Sequence, residues 1–141
     1  MDQKGFTIIE VLVAIAIFAI GMLAIGAMQI GATNANTTAR ISTELTAFAE
    51  DKMEKLTRVS FDDFPDGDVN LTVGQIQDLI DLPLNLSDDG RMITENGRFA
   101  INCTVEEDAI IESTKTVTLE VTEIMRTNQL TVTLQQIIPR M

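Results

Sequence analysis

The chain has no histidine, no tryptophan and no tyrosine, and it has one cysteine, Cys103. Without histidine there is no Ser-His or Cys-His pair to activate a nucleophile, and no imidazole ligand for a metal. With one cysteine, no disulfide closes within the chain. Six phenylalanines are the only aromatic residues, 4% of 141, too few for a platform on which bases or sugars would stack. Cations are scarce: 10 Lys and Arg stand against 21 Asp and Glu, a formal net charge of −11. Such a chain repels phosphate, which argues against nucleic acid as a partner. Acid–base catalysis would need a supported carboxylate pair, and neither Asp62–Asp63 nor Glu106–Glu107 has supporting features. The expectation is a non-enzymatic protein with no cofactor and no metal.

What is abundant is apolar surface, 45% of residues, unevenly spread. Phe6 to Ile30 is a run of 25 residues with one charge, Glu10. As a helix it is about 37 Å long, enough to cross a hydrocarbon core of about 30 Å. Lys4 precedes the run and no Lys or Arg follows before Arg40. The positive-inside tendency then keeps the short N-terminus cytoplasmic and exports the rest. An ordinary secretory signal fits poorly, because its apolar region spans only about 7–15 residues and needs no carboxylate near its start.

An ionised group in an apolar span is costly, about 2.5–3.5 kcal/mol at a helix centre on insertion scales. Glu10 sits one turn inside the run, where the cost is lower. It either snorkels to the headgroups, is protonated, or meets a cation. Cleavage between Gly5 and Phe6 would create such a cation, the new α-amine of Phe6. A pair formed in low dielectric resists separation, since either partner alone would be an unpaired buried charge.

The segment Lys4-Gly5-Phe6-Thr7-Ile8-Ile9-Glu10-Val11-Leu12-Val13-Ala14 closely resembles the class III signal of type IV pilins and type II secretion pseudopilins. The resemblance implies that a membrane prepilin peptidase cuts after Gly5 and N-methylates Phe6. It also implies that Glu10 engages the Phe6 amine of an adjacent subunit and sets its register in a filament. The run Ile17-Phe18-Ala19-Ile20-Gly21-Met22-Leu23-Ala24, then Met28-Gln29 and Ala39-Arg40, is similar to pilus-modification (PilV-like) minor pilins and to the minor pseudopilin of the I type. The strong likeness covers residues 4–58. Many major pilins carry a proline about twenty residues past the cut; here Gly21, Gly26 and Gly31 occupy that neighbourhood. These glycines either permit close packing of membrane helices or form a soft segment that unwinds on assembly.

After Ile30 the helix changes character. Residues 31–39 are Gly, Ala, Thr and Asn. Ile41, Leu45, Phe48, Ala49, Met53, Leu56 and Val59 then recur at helical spacing, with Arg40, Glu44, Glu50, Asp51, Glu54, Lys55 and Arg58 opposite. One helix is expected from Phe6 to Val59, its second half amphipathic and packed on a sheet. Pro65 and Gly67 break it within Ser60–Asp68. From there to Arg98 the chain reads as acidic loop, with one short helix at Gly74–Ile80 ended by Pro83. Asp66, Asp68 and Asn70 have the alternate spacing of a calcium loop, but the sixth position is Leu71 and the twelfth Gln77, so that motif fails.

Asn96-Gly97 predicts a two-residue hairpin joining Arg91–Glu95 to Arg98–Glu106. Phe99, Ile101, Cys103 and Val105 alternate with Ala100, Asn102, Thr104 and Glu106, and Val117, Leu119 and Val121, then Leu130, Val132 and Leu134, alternate with polar residues. Turns are expected around Glu107–Thr114 and Met125–Gln129. Cys103 falls on the apolar face as a small hydrophobe.

The expected fold is α+β and pilin-like, a long N-terminal helix on an antiparallel sheet of three to four strands. Its segments are a leader (1–5), a transmembrane and assembly half-helix (6–30), an amphipathic half-helix (31–59), and acidic loops with the sheet (60–141). The expected function is a minor pilin that enters or primes a type IV pilus-like filament. Its partners would be the prepilin peptidase, other pilins through the N-terminal helix, and the inner membrane before assembly into an extracellular or periplasmic filament. A type II secretion minor pseudopilin and an adhesive tip subunit are the alternatives.

Overall fold

The computed structural model describes residue 5, residues 7–125 and residues 129–140. The chain divides into two compact units, Met1–Ile41 and Ser42–Met141. Helix α1, Ile8–Thr57, runs from the first into the second. The expected start at Phe6 lies outside the described residues. The helix stops two residues before the expected Val59. There Arg58 N–H donates to the Lys55 carbonyl and Val59 N–H to the Leu56 carbonyl, both at 3.1 Å, a tightened last turn.

In the second unit, Leu45, Ala49, Met53 and Leu56 of α1 are buried. Their spacing places all four on one face, and burial of each leucine contributes about 1.5–3 kcal/mol. Phe48 flanks this stripe and stacks on Phe99 with ring centroids 5.0 Å apart. Arg98 forms an ion pair with Glu44 beside them.

Among the described residues the sheet has six strands, against the three to four expected. They are β1 (Val69–Asn70), β2 (Leu84–Leu86), β3 (Met92–Thr94), β4 (Phe99–Glu107), β5 (Thr114–Glu123) and β6 (Thr131–Pro139). The order is β2-β3-β4-β5-β6, all antiparallel, with β1 also pairing β4. The extra strands fall in the stretch expected to be loop. Each is two or three residues long, too short to show an alternating pattern, and tertiary pairing recruits it. Helix α2, Val73–Ile80, begins one residue before the expected Gly74. Thr72 and Gln75 close a capping box at its start. It ends at Asp81, held at φ +49 with its N–H on the Gln77 carbonyl. The stop is therefore a left-handed cap, with Pro83 merely beyond it.

The turn after β3 is wider than the two-residue type. Gly97 has φ +65 and Asn96 does not share the positive region. Gly97 N–H donates to the Thr94 carbonyl at 2.7 Å. Thr94 Oγ1 accepts the Phe99 N–H at 3.2 Å, in place of a backbone acceptor. The turn expected at Met125–Gln129 falls partly on residues 126–128, outside the described residues. The turn between Glu107 and Thr114 is present as expected.

Register explains the core. Ile101 faces Val121, Cys103 faces Leu119 and Val105 faces Val117 across β4 and β5. All six are buried, Cys103 at 0% exposure. Burial pushes the Cys103 thiol up to about 12, so it is inert as a nucleophile at neutral pH.

Candidate functional site

The site named by the sequence is the start of α1. Gly5 is exposed, and Phe6 lies outside the described residues. Thr7 caps the helix: its carbonyl accepts the N–H groups of Glu10 (3.1 Å) and Val11 (3.3 Å). Its Oγ1 also accepts from Glu10 N–H at 3.3 Å. A side-chain oxygen before an apolar helix satisfies one of the four orphan donors of the first turn. Thr7 escaped the sequence analysis, although Thr-Ile-Ile-Glu is the spacing of a capping box.

Glu10 is exposed in that first turn, where the positive end of the helix dipole favours a carboxylate. It borders a shallow apolar depression lined by Val11, Ala14, Ile15 and Phe18. Every large apolar side chain from Ile8 to Ile30 is 48–81% exposed. This surface is far larger than the apolar patches of monomeric soluble proteins. Its length and composition suffice to cross a membrane. Gly21, Gly26 and Gly31 lie within unbroken helix, and a methyl added at any of them meets nothing within 4 Å.

The acidic loops serve as ties. Glu107 Oε2 accepts the Gly67 N–H at 2.8 Å, and Asp68 Oδ1 accepts the Glu107 N–H at 3.1 Å. Asp66 pairs with Lys115 at 3.0 Å. Among the described residues no group of three or more His, Cys, Asp or Glu side chains is placed to hold a metal ion.

Lys115 is the second residue that sequence reasoning missed. It lies on the core face of β5, at 0% exposure. Its ammonium donates to the carbonyls of Phe61 (3.2 Å) and Phe64 (2.9 Å) and to Asp66 (3.0 Å), and lies 4.3 Å from the Phe61 ring centroid. All three donors are thus satisfied, the condition for burying an ammonium. The signal was parity: Lys115 is in phase with Val117, Leu119 and Val121.

Residues 1–26 match the family model of the prokaryotic N-terminal methylation motif. No curated protein and no solved structure matches the chain. The matched segment holds Gly5, Phe6 and Glu10, and together with the exposed apolar helix it supports a type IV pilin-like protein with a prepilin signal.

Proposed function

We propose that this chain is a minor pilin, a structural subunit that enters or primes a type IV pilus-like filament. The class of type IV pilins and pseudopilins is supported by the methylation motif and is structural rather than enzymatic. The observation that carries the proposal is the exposed apolar surface of α1 between Ile8 and Ile30. A subunit with that surface needs lipid before assembly and sister helices after it. Prepilin peptidase cuts after Gly5 and methylates Phe6, and the freed amine meets Glu10 of a neighbour. A type II secretion minor pseudopilin is the second reading, because the same run from Ile17 to Ala24 resembles both classes.

The test is fractionation of sheared filaments and membranes, with N-terminal mass analysis of each pool. The filament pool is expected to begin at a methylated Phe6. Gly5→Ala is expected to leave the leader attached and confine the chain to membranes. Normal mature mass in that variant would refute the cleavage step.

A further inference from the structure

Strand β6 is the last in the sheet order and pairs with β5 on one side. Among the described residues no strand pairs with its other edge. Its register against β5 is continuous from Thr131 to Pro139, without a bulge. Residues 127–139 carry no charge, the longest charge-free run after residue 41. Natural edges are blunted by charge, proline, a bulge or a covering segment. Here Pro139 and the segment Thr57–Asp62, which lines a cleft together with Gln136–Arg140, guard the far end, and among the described residues Thr131–Gln135 has no such device. The core-facing Val132 and Leu134 are only half-buried, so a further strand would complete their cover.

We propose that β6 is a self-pairing edge, whose occupant is β6 of a second copy running antiparallel to it. Two chains of net charge −11 repel each other unless they approach through neutral surface. The β6 edge presents neutral surface on both sides of the contact. An antiparallel pair of identical strands is self-complementary across a two-fold axis. It satisfies the backbone groups that point away from β5. This proposal does not rest on the filament reading.

The test uses the full chain in detergent micelles with single cysteines at Thr133, Gln135 and Ile137, which share the outer face of β6. Opposed residues in an antiparallel pair have Cα atoms about 4.5–5.5 Å apart, within disulfide reach. Cys103 is fully buried, so the unsubstituted chain serves as the blank. Mild oxidation is expected to give a covalent dimer at the one position that lies on the two-fold axis, or in a mixture of two neighbouring cysteine chains where the axis falls between them. Glu120→Cys, one strand inward, is expected to give none. Adding Thr133→Lys, or Thr131→Lys where the cysteine stands at 133, should lower the cross-linked fraction at least tenfold. The lysine of the first variant faces Glu120 within its own sheet, which keeps the sheet intact. Thr131→Lys, opposite Thr122, repeats the test if circular dichroism shows the first variant unfolded. The absence of a dimer at all three positions and in pairwise mixtures of the three chains, which cover a two-fold axis at Leu134 or Gln136, overturns the proposal. So does a dimer that both folded lysine variants leave unchanged. Association through α1 alone would give dimers without these cross-links, which also overturns it.

Discussion

Glu10 is the sole charge between Phe6 and Ile30, and it stands in the first helical turn beside its capping residue Thr7. Helix geometry does not require its carboxylate, since Thr7 supplies the cap. Glu10→Ala is therefore expected to insert and be processed normally. Its recovery in sheared filaments should fall about tenfold or more, the scale of losing a buried charge partner. Undiminished recovery would contradict a role in subunit register. Lys115 is a different kind of residue, a structural post. Lys115→Met leaves the Phe61 and Phe64 carbonyls without their donor and should cost about 2–3 kcal/mol in denaturant unfolding. Asp66→Asn should cost less than about 1 kcal/mol, because Asp66 is 92% exposed and surface pairs contribute little. Equal losses in both variants would refute this division of labour. The methylation motif at residues 1–26 was legible because it is local. Lys115 escaped because its partners lie some fifty residues earlier in the chain, where sequence shows only an acidic loop.

At the scale of elements, α1 and the long strands announced themselves through periodicity. The stripe Leu45, Ala49, Met53 and Leu56 repeats with the helical turn, and β4 and β5 alternate over nine and ten residues. β1 and β2 are two or three residues each and exist because β4 and β3 offer partners, whereas β3 falls within the strand expected at Arg91–Glu95. Asp81 likewise ended α2 by adopting a left-handed conformation that composition does not signal. The three glycines of α1 give the element its own test. Replacing Gly21, Gly26 and Gly31 together by alanine should stabilise the isolated helix by about 1 kcal/mol per site in water-like surroundings. No side chain stands in the way. If the segment must unwind on assembly, filament incorporation of the triple variant drops while membrane insertion is retained. Unchanged incorporation would dispose of unwinding and leave close packing.

At the scale of the molecule, the buried core begins at Leu45 and draws on α1, α2 and the sheet. Every large apolar residue before Ile30 contributes to none of it. A fragment of residues 42–141 is therefore expected to remain monomeric or dimeric in water without detergent. It should unfold cooperatively, with the same near-ultraviolet spectrum as the full chain in micelles. A fragment that aggregates or lacks a cooperative transition would show that the first unit supports the second. Its unfolding would also separate defects of folding from defects of assembly in every variant above.

The fully enclosed Cys103 thiol has a further consequence. The sulfhydryl stays protonated and out of reach in the native domain, and it has no mate within the chain. Maturation then needs no oxidant and no disulfide isomerase. The second unit acquires the same covalent state in reducing and in oxidising surroundings, and a reductant added to purified material should leave its melting temperature where it was.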